Sequence, residues 1–205
     1  KSVSRLVCYN GYNNQKRYID MLKFEELEKE LKRFSDYVIR EARKKLVEAD
    51  KKSSGKLYDS IDANIIQEKD AFLVEFLMED YGKFVDQGVK GKNPNQLPKG
   101  AKWFGTQKAP KSPYKFGSMK SKGLRKAINR WTVQKNLKGV RDDKGRFLSR
   151  KTMQYLITRS IYLSGIKATM FFTEPYNKAL KRFSQKFTEA ISLDIENNFL
   201  YGQNK

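Results

Sequence analysis

The chain has no histidine among its 205 residues and a single cysteine, Cys8. The first absence removes the side chain most used as a general base and as a metal ligand. It also excludes a Ser-His triad, however many serines are present. The second excludes an intramolecular disulfide and leaves zinc without soft or imidazole ligands. Cys8 reads as a bystander, and its isolation fits a reducing compartment or indifference to redox. Proline is sparse, and four of the five fall between positions 94 and 113. No apolar run approaches the ~18 residues of a membrane span. The first twenty residues, KSVSRLVCYNGYNNQKRYID, lack the apolar centre of a signal peptide. They also begin without methionine, as a chain that has lost its first residue does. Hydrophobic residues make up 39%, below the usual share, and charged residues 32%, above it. The expectation is a real but modest core with polar extensions. Aromatics at 13% argue against disorder throughout.

What is present in excess is positive charge, a formal +20, and it is unevenly spread. Residues 1–82 carry 16 basic and 16 acidic side chains, whereas residues 83–151 carry 20 basic and 3 acidic ones. The excess is thus a central block. Such a block attracts a polyanion, either nucleic acid or an acidic protein ring. The plainer alternative is a solvated basic loop. The candidate contacts are Lys90, Lys92, Lys99, Lys102, Lys108, Lys111, Lys115, Lys120, Lys122, Arg125, Lys126 and Arg130.

Along the chain, residues 1–20 read as an arm, rich in Asn, Tyr, Lys and Gly and without a clear period. Residues 21–50 predict a long amphipathic helix, with Phe24, Leu27, Leu31, Phe34, Val38, Ala42 and Leu46 at three- and four-residue steps. Residues 57–67 and 71–78 predict a hairpin. Ile61, Ala63 and Ile65 alternate with polar residues in its first strand, and AFLVEFLM is apolar enough to be a central strand. Residues 81–85 suggest a short helical turn, with Tyr81 and Val85 on the core, before Gly88. Residues 90–121 read as a long irregular basic loop. Residues 122–137 predict a basic helix with Leu124, Ile128 and Trp131 on one face, followed by a turn at GVRDDKGRF. Residues 149–164 predict another helix, N-capped by Ser149, with Met153, Leu156, Ile157 and Ile161 apolar and Gly165 ending it. Residues 166–172 look β-like. Thr173-Glu174-Pro175 opens a last helix running to about Phe199, with Ala179, Leu180, Phe183, Phe187, Ile191 and Ile195 on its buried face.

The fold class expected is therefore α+β. Long N- and C-terminal helices pack on a small, mainly antiparallel sheet, with two middle helices and a long basic loop. The arm (1–20) precedes a single domain (21–199), and a polar tail (200–205) follows.

No pattern supports catalysis. Gly88, Gly91 and Gly100 miss the spacing of a phosphate-binding P-loop, and Pro94 and Pro98 block the helix that one requires. The same fault excludes a dinucleotide fingerprint. The acid pairs Glu79-Asp80 and Asp142-Asp143 lack a supporting constellation. LRKAINRWTVQKNL lacks the partner helix and short turn of a helix-turn-helix reader, so its cations suit phosphate rather than bases. No catalytic residue, cofactor or metal is expected.

Several segments in order resemble a known family. Gly55, Leu57, Ser60 and Ile61 match a strand motif after the first helix, with one extra residue before the leucine. Tyr81, Val85 and Gly88 match a second motif. Trp131 matches a helix with tryptophan. Gly165, Ile166, Ala168, Phe171 and Phe172 match a segment before the last helix, in which Ala179 stands. Over residues 22–199 this resembles the tail-completion, head–tail joining (minor tail, neck) proteins of tailed bacteriophages. The Lys, Asn and Tyr richness suits a phage of an AT-rich host, of the crAss-like type. The resemblance implies a structural virion protein with no enzymatic role, assembled in the host cytoplasm. It implies a homo-oligomeric ring of six or twelve copies between portal and tail, with portal, connector or tail proteins as neighbours and genomic DNA passing through the channel. It also implies arms and loops that become ordered on assembly. The alternative from another class is a non-specific nucleic-acid-binding protein using residues 83–151.

Overall fold

The computed structural model describes residues 2–9, 23–50, 55–68, 71–119, 122–137, 139, 141 and 143–202. Its elements run β1 (Ser2–Tyr9), α1 (Glu25–Glu48), α2 (Lys56–Ser60), β2 (Asp62–Glu68), β3 (Ala71–Met78), α3 (Gly82–Gln87), β4 (Val89–Lys90), α4 (Lys122–Gln134), α5 (Arg150–Ser164), β5 (Gly165–Ile166) and α6 (Thr173–Gly202). The class is α+β, with long first and last helices that pack together. The chain forms two compact units, Lys1–Gly82 with Phe171–Lys205, and Lys83–Met170.

The first unit is a three-stranded antiparallel sheet in the order β1-β3-β2, with α1 against it and α6 packed on α1. β3 is central, as its apolar run predicts, with β1 and β2 on its two edges. Phe72, Val74, Phe76 and Met78 of β3 are buried at alternate positions, and Ala63 and Ile65 of β2 stand opposite Phe76 and Val74. On α1 the predicted stripe is buried from Leu27 to Leu46. Phe34, fully buried, lies at the centre: its ring is 6.1 Å from Phe76, 5.8 Å from Phe183 and 5.6 Å from Phe187. Burial of such a side chain contributes on the order of 2–3 kcal/mol, and here one ring joins α1, β3 and α6.

Four readings of this unit change. Residues 2–9, read as part of an arm, form β1, which pairs with β3 from Ser2↔Met78 to Tyr9↔Ala71. The rest of the expected arm, residues 10–20, lies outside the described residues. Residues 57–60, read as strand, form the short helix α2, and β2 starts only at Asp62. Ser60 makes that corner: its hydroxyl donates to the Leu57 carbonyl and accepts the Glu79 N–H at 3.1 Å. Tyr81, expected on the core, is 41% exposed, because the buried Gly82 beside it already abuts Met78 and Leu57. On α6, Ala179 and Phe183 are buried as expected, but Ile195 is exposed and Asp194 takes the buried position.

The second unit contains α3 to β5. Its two short strands pair antiparallel, Val89 with Ile166 and Lys90 with Gly165. α4 packs on α5. Ser149 caps α5 by accepting the Thr152 N–H at 3.1 Å, and Gly165, at φ 90°, ends it. Leu156, read as part of the apolar face of α5, is exposed. Trp131, placed by its spacing on the buried face of α4, is partly exposed, while Ile128 and Thr132 are buried. The face is turned by Thr132, whose hydroxyl donates to the Asn129 carbonyl and meets the Gln154 amide.

Candidate polyanion-binding surface

The basic block of the sequence is, with little remainder, the second unit. Residues 83–170 hold 22 of the chain's 43 Lys and Arg and only 3 of its 23 acids, a net +19. The first unit holds 21 basic and 20 acidic residues, a net +1. Of the three acids, Asp86 is buried, Asp143 is exposed, and Asp142 lies outside the described residues.

Residues 90–119 carry much of this charge and are held by hydrogen bonds more than by regular structure. The Lys90 N–H donates to Tyr114, the Lys92 N–H to Tyr162, and the Lys108 N–H to Ser164. Gln107 acts as a surrogate strand: its amide oxygen accepts the Gly91 N–H at 2.7 Å and its nitrogen donates to the Gly91 carbonyl at 3.0 Å. The buried Ser112 donates to the Gly88 carbonyl at 2.8 Å and accepts the Tyr114 N–H. A short 3-10 turn, Pro94–Gln96, is capped by Asn93 and tied to α5 through the Arg159 guanidinium and the Gln96 carbonyl. The sequence reading left this segment to be ordered on assembly. Within the single chain several of its backbone groups already have partners, among them the side chains of Gln107 and Ser112, whose spacing carries no periodic signal.

The glycines of this region serve that packing. At Gly91 a Cβ would lie 2.1 Å from the Leu163 carbonyl oxygen, and at Gly165 it would lie 2.5 Å from that of Val89. Two backbones therefore cross here at a distance only glycine permits.

Lys92, Lys99, Lys102, Lys111, Lys115, Arg125, Lys126 and Arg130 are exposed, and Lys90 and Lys108 are half-buried. Lys120 and the side chain of Lys122 lie outside the described residues. Among the described residues, no carboxylate ion-pairs with any of those eight exposed cations. The charges spread over the 92–115 segment and the solvent side of α4, where Lys126 and Arg130 stand four residues apart. Like charges at that spacing cost a helix a few tenths of a kcal/mol, about 0.2–0.5.

Aromatic rings are interleaved with the cations, a feature that the interspersed Trp103, Phe104, Tyr114 and Phe116 foreshadow in sequence. The Lys108 ammonium sits 3.7 Å from the centre of the Trp103 ring, and the Arg141 guanidinium 4.4 Å from that of Phe147. Phe84 packs edge-on to Tyr114 at 4.9 Å, with the Lys83 ammonium 5.3 Å from its centre. Sequence reasoning missed Gln107 and Ser112, the side chains that fix the basic segment.

Of the residues of the resembled motifs, some are buried and others, Tyr81 and Trp131, are exposed. Gly55 has a left-handed φ of 74°, Leu57 and Phe171 are buried, and Phe172 packs 5.2 Å from Phe76. The Val85 carbonyl accepts both the N–H and the hydroxyl of Thr169. Among the described residues, no three acidic or cysteine side chains converge to hold a metal ion, and no helix is long and apolar enough to cross a membrane. Compared with models of protein families, with curated proteins and with solved structures, the chain matches none of them.

Proposed function

We propose that this chain is a structural subunit of a tailed-phage head–tail connector or tail-completion ring, joining portal to tail around the channel through which DNA passes. In this reading it acts in the neck or tail region of the virion, in six or twelve copies, and performs no catalysis. The observation that carries the reading is the order of parts. A long helix, the Gly55–Ile61 motif, a hairpin, a short helix before Gly88, a helical pair and a Phe171-Phe172 entry to the last helix follow in the order of the resembled family, although residues 56–60, a strand there, form a helix here. The motif residues lend support, since Gly165 takes a position that only glycine fills at a backbone crossing and Phe171 a fully buried one.

The test is the composition of purified phage particles, by quantitative mass spectrometry and cryo-electron microscopy of the neck. The expected result is this chain at six or twelve copies per particle, in a ring between portal and tail. A chain absent from purified particles overturns the proposal.

A second reading, non-specific binding of nucleic acid, is favoured by one observation, the division of charge between the two units.

A further inference from the structure

We propose that the second unit, Lys83–Met170, binds the phosphate backbone of duplex DNA independently of sequence. The contacts come from two groups of cations: Lys99, Lys102 and Lys111 on the hydrogen-bonded segment, and Arg125, Lys126 and Arg130 on α4. This makes the second reading concrete and does not depend on ring assembly.

Four observations lead to it. First, the +19 of this unit belongs to one compact body, whereas the other body is close to neutral. A field of that sign and density draws a polyanion and its counterions. Second, all six cations are exposed and none is ion-paired to a carboxylate among the described residues. Binding phosphate therefore breaks no internal ion pair. Third, the segment that carries half of them is already pinned through Gln107 and Ser112, so little ordering entropy opposes the contact. Fourth, one amide that could read a base is engaged elsewhere: the Gln154 amide donates to Asn129 Oδ1 at 2.6 Å, joining α5 to α4. Amides of this kind read adenine when free. The outward cations of α4, Arg125, Lys126 and Arg130, can each meet phosphate.

Three of this unit's exposed rings favour duplex over single-stranded DNA. Trp103, Phe147 and Phe84 each have a cation near the ring, at 3.7, 4.4 and 5.3 Å. Single-strand binders present ring faces for bases to stack upon. Here three of the rings seat cations, whereas Phe104 and Trp131 carry none among the described contacts.

The experiment is fluorescence anisotropy of the full chain with 30-base-pair duplexes of unrelated sequence, across a salt series. Affinity is expected to fall about 1,000-fold between 50 and 200 mM salt, as for roughly six phosphate contacts, with the duplexes differing by less than about 3-fold. Lys99→Gln/Lys102→Gln/Lys111→Gln and Arg125→Gln/Lys126→Gln/Arg130→Gln are each expected to lower the slope of log K against log salt by about 2.7, or 0.9 per contact. Lys32→Gln/Lys44→Gln, in the first unit, leaves it unchanged. Circular dichroism melts confirm that each variant folds as the parent does. Slopes unchanged in both triple variants overturn the proposal. So does tighter binding to poly-glutamate than to duplex DNA at equal charge, which assigns the surface to an acidic protein, and so does strong preference for one duplex sequence or for a single strand.

Discussion

The Asp194 carboxylate, near the end of the last helix, accepts the backbone N–H of Leu27, near the start of the first, at 2.8 Å and across 167 residues of sequence. Its second oxygen accepts the Glu26 N–H at 3.0 Å. Phe24, the residue before α1, offers no side-chain cap. The orphan donors of α1 are thus satisfied from α6, by a negative charge placed where the helix dipole favours one. Asn198, one turn further on, accepts the Lys23 N–H and donates to the Lys23 carbonyl.

Removing this cap is expected to be costly for one surface-distant polar group. Asp194 is 3% exposed, so Asp194→Ala leaves two buried donors unpaired and lowers stability by about 1–3 kcal/mol. Asp194→Asn keeps one acceptor oxygen and loses roughly half as much. Urea denaturation of both variants measures the difference. A loss below about 0.5 kcal/mol for the alanine variant excludes the clamp, since that is the range of ordinary surface substitutions.

Gly91→Ala is expected to damage the second unit. The added methyl meets the Leu163 carbonyl oxygen and the Gly165 nitrogen, both backbone atoms that cannot swing aside. The cost lies at or above the upper end of the about 1–3 kcal/mol seen for overpacking. Gly117→Ala, with nothing within 4 Å of its Cβ, serves as the neutral control. Hydrogen exchange of residues 88–92 and 163–166 reads the effect, which must exceed that in β3.

Glu174, in the first turn of α6, has its carboxyl pKa lowered from 4.5 to about 2, first by the hydrogen bond from Lys178 and then by that from Lys45. A depressed folded-state value means that the stabilisation is present above pH ~4.5 and is lost as pH falls from there toward 2. Glu174→Gln is therefore expected to shallow the acid limb of stability between those values and to leave the shape above pH 6 unchanged. The site is exposed, so salt weakens the effect. Carboxyl titration by NMR in Lys178→Met, with Glu174 moving back toward 4.5, checks the cause.

Much of the fold was legible because it rests on local period. The α1 stripe from Leu27 to Leu46, the central strand AFLVEFLM, the Ser149 cap and the Gly165 stop each follow from residues within one or two turns of each other. Reading failed where a distant group decided the outcome. The arm hid β1 because its segment has no clean alternation, yet β3 needed a partner on its second edge. Trp131 and Ile195 had the right spacing for burial, but Thr132 and Asp194 took those places through hydrogen bonds to Gln154 and to α1. Of the candidate surface, the lysines were plain in the sequence, whereas Gln107 and Ser112, which hold their segment, carry no periodic mark.

The sequence by itself determined the α+β class, the long helices at each end, the absence of histidine chemistry and the existence of a basic block. These depend on composition and on spacings of two to four residues. Only the tertiary structure decided that the block is one compact unit of net +19 and that the other unit carries net +1. It also decided that residues 90–119 are pinned, that glycines meet at a backbone crossing, and that the last helix caps the first. The physical reason is common to all four: each depends on which backbone N–H and C=O groups find partners far away in sequence, and no local pattern encodes that choice.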